Sequence, residues 1–168
     1  TAEDLYHGQV VISWARWFVI GAAVVLVIWT TTDVDKLVVG ILPVIALMAI
    51  NFYLHGRHLA AKPANRALIT LASLLDLAVI TVVVLVWPDQ QGLKSQFFIM
   101  YYPVVLAFAF VMPPRIAAVY TAAALAGYAG ACFVADPDVF ANTHAVELLV
   151  TRLITLGAMG GLGTYYWR

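Results

Sequence analysis

Charged residues are scarce in this sequence: they make up 11% of its 168 residues, whereas hydrophobic residues make up 64%. Soluble domains typically contain about 25% charged and about 45–50% apolar residues. A soluble domain of this size could not bury so much apolar surface, because small domains leave a large part of their chain exposed. The composition therefore excludes a water-soluble enzyme, a nucleic-acid-binding domain and a disordered protein.

Cysteine is nearly absent, and the chain carries no net charge. The single Cys132 excludes an internal disulfide framework and a multi-cysteine metal site. Basic and acidic residues balance, so bulk charge points neither to nucleic acid nor to anionic partners. GxSxG, HExxH, P-loop and CxxC patterns are lacking, and the lysines lie in loops or at the ends of apolar runs, where they could not hold a retinal. We therefore expect no catalytic residue, no metal and no cofactor in this region.

Long apolar stretches are abundant, and charged or proline-rich connectors divide them into six runs. A transmembrane helix needs about 20 mostly apolar residues, and continuous apolar character favours helices over the alternating strands of a barrel. The sequence predicts an all-α polytopic membrane protein, a single domain of six transmembrane helices. The runs cover about 12–31, 36–54, 66–87, 95–112, 114–135 and 145–167.

Basic residues predict the orientation of these helices. Arg57, Lys62 and Arg66 follow the second run, Arg115 follows the fourth, and Arg168 ends the sequence. Cytoplasmic loops are enriched in such residues, so we expect both termini in the cytoplasm. The outer loops are short, and any stimulus is therefore expected to be membrane-borne, apolar or a small ion.

Four polar residues lie inside the runs: Arg16, Asn51, Asp76 and Arg152. A charge at bilayer depth costs about 2.5–3.5 kcal/mol on insertion scales and usually faces a partner. Asp76 and Arg152 differ in estimated depth by only about 5 Å, and Arg16 and Asn51 both lie about four residues inside the cytoplasmic edge. We predict an Asp76–Arg152 ion pair and an Arg16–Asn51 hydrogen bond. The ion pair would fix helix register, take part in sensing or relay protons.

Aromatic residues gather at the outer end of the fourth run, close to two polar residues that open the sixth. The aromatic residues form either a belt at the headgroup layer or an apolar ligand pocket. The two polar residues are three positions apart on one helical face and are candidates for extracytoplasmic sensing. The candidate pocket residues are Phe97, Phe98, Tyr101, Tyr102, His144 and Glu147.

Small residues line the sixth run. Gly157, Gly160 and Gly161, followed by Gly163, form a pattern that permits close helix contact. They either let the sixth helix shift or only allow tight static packing.

The order of these features resembles the six-helix membrane sensor region of bacterial sensor histidine kinases. Such regions carry Arg-Trp early in the first helix, asparagine late in the second, Leu-Asp-Leu in the third, an aromatic stretch opening the fourth and arginine in the sixth. The connector 89–95 departs from the family, because it lacks a Gly-Gly-x-x-x-Pro-Phe pattern. The matching residues here are Arg16-Trp17, Asn51, Leu75-Asp76-Leu77, Phe97–Pro103 and Arg152.

The resemblance implies a non-catalytic input and anchor module in a bacterial inner (plasma) membrane, part of a dimeric signalling protein that is most simply a histidine kinase. An output domain is expected beyond residue 168, driven by a small shift of the sixth helix. The expected partners are the lipid bilayer, a second copy and that output domain, without nucleic acid. Similar regions anchor class III adenylyl cyclases and diguanylate cyclases, which is one alternative.

Two further alternatives belong to other functional classes. A small transporter or channel subunit would use Asp76 and Arg152 as a gate. A quinone- or haem-binding redox subunit would need histidine ligands, for which His55 and His58 are the close pair; interfacial histidines are the simpler interpretation of that pair.

Overall fold

The structure of the chain is a computed structural model that describes residues 2–60 and 65–165. The side chains of residues 2–9 and 58 are outside this description. Every element within the described ranges is helical, as the composition predicts. The six α-helices are α1 (Ala2–Thr30), α2 (Val34–Leu59), α3 (Arg66–Val86), α4 (Tyr101–Val111), α5 (Pro114–Ala135) and α6 (Thr143–Tyr165).

Five of these helices, all except α4, are long and apolar enough to cross a membrane. Their most apolar windows have mean hydropathies between 1.5 and 2.6. The chain is therefore a multi-pass membrane protein. The expected bounds of the third and fifth spans agree with α3 and α5 to within a residue, because charged and proline residues delimit both runs.

The fourth run differs from the single long helix that its apolar length predicts. A 3₁₀-helix, Gln96–Met100, leads into α4, which has only 11 residues. Pro103 favours this change: proline has no N–H to donate and therefore suits the first turn of an α-helix, although α2 continues through Pro43 in its interior. The α-helix therefore begins just before Pro103. The two helical segments together rise about 27 Å, close to the thickness of about 30 Å for a hydrocarbon core.

Helix α4 lies at the centre of the bundle, where it packs against α1, α5, α6 and, less extensively, α3. Its sequence contains no charged residue, and Val105, Phe108 and Ala109 are almost completely buried. A helix that is hydrophobic all round is typically a core helix. Helix α2 lies at the edge, on α1 and α3.

The connector between α3 and the 3₁₀-helix folds over the C-terminal end of α5. Gly92 has a φ of +56°, and an added Cβ there would lie 3.2 Å from the Cα of Cys132. Glycine tolerates both the left-handed backbone and the close approach. This contact fixes the connector beside the start of α6, which follows α5 after a short turn.

Candidate functional site

Two charged side chains meet in the interior of the bundle, between α1 and α3. The Nε and Nη2 atoms of Arg16 both lie 2.6 Å from Oδ2 of Asp76. The two side chains are 6% and 3% exposed. Arg16 belongs to the buried stripe of α1 that includes Ile12 and Val19. Their spacing of four and three residues places all three on one face of the helix, towards the interior of the bundle. The ion pair therefore links α1 to α3, and the two opposite charges neutralise each other.

The predicted ion pair between Asp76 and Arg152 is wrong, because Asp76 binds Arg16. Similar depth in the membrane did not bring the two residues together: α6 packs on α4 and α5, whereas Asp76 faces α1. The transporter hypothesis assigned a gate to the same two residues, and it stays a prediction.

The predicted hydrogen bond between Arg16 and Asn51 is not formed either. Asn51 is completely buried, yet neither its Oδ1 nor its Nδ2 has a hydrogen-bond partner among the described residues. An unpaired buried amide costs about 1–3 kcal/mol. Asn51 therefore lies in the core without contributing to the polar network of Arg16.

Helix α5 covers the ion pair with Tyr120. The Tyr120 hydroxyl donates a 2.8 Å hydrogen bond to the carbonyl oxygen of Ser73, one turn before Asp76. The Tyr120 ring stacks on Phe108 of α4 with centroids 4.0 Å apart. This arrangement excludes lipid and solvent from the pair.

Arg152, on α6, lies in a separate aromatic environment that we call the Arg152 cage: Phe98, Tyr101, Tyr102 and Tyr128. Its Nη1 donates a 2.7 Å hydrogen bond to the Tyr128 hydroxyl, and its Cζ lies 4.9 Å from the centre of the Phe98 ring. No acidic side chain in the described part of the chain forms an ion pair with it. The cage thus holds a cation that no carboxylate among the described side chains neutralises.

The cage is fixed to α3 by a second polar contact. The Tyr101 hydroxyl lies 2.7 Å from Oγ1 of Thr81, which donates to the carbonyl oxygen of Leu77. The Tyr101 and Tyr128 rings meet edge to face, with centroids 5.7 Å apart. The Tyr101 ring is thereby held by α3 and α5 as well as by its own helix α4.

The other candidate pocket residues are divided among separate places. Phe97 turns away from the cage and packs on Trp87, with ring centroids 4.6 Å apart. His144 and Glu147 face each other across 3.9 Å, but their side chains are 87% and 70% exposed. Phe98, Tyr101 and Tyr102 therefore lie in the Arg152 cage, whereas Phe97, His144 and Glu147 lie outside it, and a ligand pocket formed by these residues stays a prediction.

An open cavity, which we call the vestibule, lies between the α3–α4 connector, the end of α5 and the start of α6. Its volume is about 430 Å³. Asp89, Lys94, Asp136 and His144 contribute polar groups to it, and Leu148 lies on its α6 side. Leu148 is one helical turn from Arg152, so the vestibule and the cage occupy consecutive turns of α6.

The glycines of α6 face two different directions. A Cβ at Gly160 would overlap the Thr121 side chain on α5, and one at Gly163 would overlap Ala109 on α4. At Gly157 an added Cβ would only touch Leu125, and at Gly161 it would meet nothing within 4 Å. Gly160 and Gly163 thus allow tight internal contact, and Gly161 lies on the open face.

The histidines do not form a metal site in the described part of the chain, where no group of three His, Cys, Asp or Glu side chains could hold a metal ion. His55 lines a mainly apolar pocket between α1, α2 and α3. The side chain of His58 lies outside the described residues, so the histidine pair itself is not described.

Sequence reasoning did not find Tyr120, Tyr128 or Thr81. The two tyrosines are separated by two steps of four residues along α5, with the fully buried Ala124 between them. Such spacing puts all three near one face of a helix. That spacing was the available signal for a polar stripe facing the core.

Comparison of the chain with protein-family models, with curated proteins and with solved structures finds no match.

Proposed function

We propose that this chain is the membrane-embedded input and anchor module of a dimeric bacterial signalling protein, most simply a sensor histidine kinase. The observation that supports this function best is the environment of Arg152. Arg16 is neutralised by Asp76, whereas Arg152 has no acidic partner among the described side chains. An ionisable residue inside a membrane span is expensive and usually functional. Arg152 is therefore the group at which a stimulus acts.

In the proposed topology the chain crosses the inner membrane six times and has both ends in the cytoplasm. The 3₁₀-helix and α4 together form the fourth crossing. Arg57, Arg66 and Arg115 then lie on the cytoplasmic side, as the distribution of basic residues favours. The vestibule opens on the opposite side, where a stimulus outside the cell has access to it.

Helix α6 is the output element in this proposal. Its outer half contacts the cage through Arg152, and its inner half contacts α4 and α5 at Gly163 and Gly160. A change at Arg152 would tilt the outer half about these glycine contacts and move the cytoplasmic end in the opposite direction. Shifts of 1–2 Å are typical of helix-borne signals.

The dimer contact is assigned to the open face of α6. Ala158, Gly161 and Leu162 are exposed there, and small residues allow close approach between membrane helices. A second copy packed on this face would place the two output helices side by side, as kinases and cyclases that work as dimers require.

Cysteine cross-linking in the full-length protein tests the output and dimer assignments. In a Cys132→Ser background, we expect disulfides between copies for Ala158→Cys and Gly161→Cys. Leu156→Cys is the matched control, because Leu156 is completely buried and should not cross-link. Arg152→Gln should change the relative cross-linking yields. Equal yields at the exposed and buried positions would contradict the dimer face, and a pattern unaffected by Arg152→Gln would contradict the output mechanism.

Two further measurements test topology and class. A reporter fused at Gln91 should be extracytoplasmic, and one fused after residue 168 should be cytoplasmic. The reverse orientation would contradict the proposed topology. Purified full-length protein incubated with ATP or GTP should form phosphohistidine. Formation of a cyclic nucleotide would instead identify the cyclase anchor.

A further inference from the structure

The vestibule has the dimensions and the walls of a small-molecule site. Its volume of about 430 Å³ falls within the range of about 300–1,000 Å³ that such sites occupy. Three elements that are distant in sequence line it, represented by Leu93, Ala135 and Leu148. The cavity is thus a product of the fold rather than of one loop.

Two helical faces lead from the vestibule to the Arg152 cage. On α6, Ala145 and Leu148 line the vestibule, and Arg152 follows one turn deeper on the same face. On α5, Ala135 lines the vestibule, and Tyr128 follows two turns deeper, hydrogen-bonded to Arg152. Side chains on a helix lean towards its N-terminus, so the Arg152 side chain leans from its own turn towards the vestibule.

The guanidinium of Arg152 retains donors for a ligand. It has five N–H groups, of which one is donated to Tyr128. Arg152 is partly exposed. Each of its nitrogens therefore either has a hydrogen-bond partner or remains accessible. A guanidinium presents parallel N–H groups that match the two oxygens of a carboxylate, and the Phe98 ring supports its plane.

The single guanidinium of Arg152 suits a ligand with one negative charge, because it can neutralise one carboxylate. The rim carries both signs of charge: Asp89, which pairs with Lys36 at 3.4 Å, and Asp136 line the vestibule together with Lys94 and His144. This mixed rim adds no clear excess of positive charge that would favour a dianion such as phosphate. The apolar Leu93, Ala135 and Leu148 suit a compact hydrophobic body.

We infer that the vestibule and Arg152 form a binding site for a small organic acid with one carboxylate and an aromatic or short-chain body. The carboxylate binds Arg152 at the edge of the cage, and the body fills the vestibule beside Leu148. This inference rests on the proposed function and names the ligand class of its input site.

Binding of 4-fluorobenzoate to the chain in phosphatidylcholine nanodiscs, followed by ¹⁹F NMR, tests the site. We expect saturable binding of 4-fluorobenzoate and at least tenfold weaker binding of 4-fluorobenzamide, which has the same shape without the charge. Zwitterionic lipid keeps anionic headgroups from competing. Absence of saturable binding, or equal binding of the amide, would overturn the inference.

Matched variants locate the binding. Arg152→Gln should weaken 4-fluorobenzoate binding at least tenfold, whereas Arg115→Gln, an exposed arginine at the start of α5, should leave it unchanged. Leu148→Trp should fill the vestibule and reduce binding without removing the charge, and it tests the site if Arg152→Gln fails to fold. If Arg152→Gln or Leu148→Trp folds and binds 4-fluorobenzoate with wild-type affinity, the site is refuted.

The failure of this inference is distinguishable from failure of the signalling proposal. Charge-dependent binding together with an α6 cross-linking pattern that the acid does not alter would leave the site valid and refute its role in output. A cross-linking pattern that depends on Arg152 together with no binding of the acid would refute the ligand class alone.

Discussion

Arg16 on α1 and Asp76 on α3 are separated by 60 positions in the sequence, and their side chains meet at 2.6 Å in the interior of the bundle. Arg152 on α6, at a similar depth, is held instead by the aromatic cage of Phe98 and Tyr128. The two arginines therefore differ in their partners. Arg16 forms an ion pair that links two helices, whereas Arg152 contacts aromatic rings and no described carboxylate.

Asp76→Asn should destabilise the bundle by about 3–5 kcal/mol, because it leaves the Arg16 charge buried without a counter-ion. Adding Arg16→Gln should recover part of the loss, which a double-mutant cycle measures. Denaturant unfolding of the purified chain in detergent gives the free energies.

The matched control for that variant is Asp89→Asn. Asp89 pairs with Lys36 at 3.4 Å on the surface, with side chains 87% and 46% exposed. Surface pairs contribute about 0–1 kcal/mol. If Asp76→Asn costs no more than Asp89→Asn, the interior pair does not hold α1 and α3 together.

The helices were predictable from the sequence, and their neighbours were not. Charged and proline residues mark the ends of apolar runs, which is why the expected spans 66–87 and 114–135 agree with α3 and α5. Depth along a helix also follows from residue counting. The direction in which a residue faces around the bundle depends on which helices pack together, and this separated Asp76 from Arg152.

Gly163→Ala should destabilise the chain by about 1–3 kcal/mol, as overpacking of a close helix contact does. The added methyl group would overlap Ala109, whose backbone atoms are also within 3.2 Å of it. Gly161→Ala is the matched control, since the same methyl group meets nothing within 4 Å. We expect Gly161→Ala to be neutral or slightly stabilising, because alanine favours helix. Thermal unfolding compares them, and equal midpoints would argue against tight packing of α6 on α4.

Asn51→Leu should leave stability unchanged or raise it by about 1 kcal/mol. The leucine has a similar size, and it removes a buried amide that has no hydrogen-bond partner among the described residues. Asn51→Ala serves as the comparison, because it also removes the amide but creates a cavity. Unfolding free energies of both variants give the answer. A loss of more than 1 kcal/mol in Asn51→Leu would mean that the amide makes a stabilising contact.

Tyr128→Phe should cost about 1.5–3 kcal/mol, the usual contribution of a hydrogen bond to a charged group. The variant keeps the ring contacts with Phe98 and Tyr101 and removes the hydroxyl that accepts the Arg152 N–H and also contacts the Cys132 thiol. Tyr53→Phe, at an exposed position of α2, should have little effect. Unfolding in detergent measures both, and similar costs would show that Arg152 does not depend on the Tyr128 hydroxyl.

The candidate site was only partly predictable, for a related physical reason. Phe98, Tyr101 and Arg152 were recognisable as an aromatic cluster and an unusual charge in apolar sequence. Tyr128 and Thr81 were not, because tyrosine and threonine cost little in a membrane helix and their hydroxyls become informative only when a partner is known. The cage draws on the third, fourth, fifth and sixth helices, and no local pattern joins them.

The cage also has a consequence for biosynthesis. Phe98, Tyr101 and Tyr128 all precede Arg152 in the chain, and only two residues separate the end of α4 from the start of α5. In the proposed topology the short α4 would leave the translocon with α5 as one hairpin, which brings the rings together before α6 is made. In that topology α6 would emerge last, and Arg152 would meet aromatic rings that are already in place. The order of synthesis would then lower the barrier to inserting the span that carries Arg152.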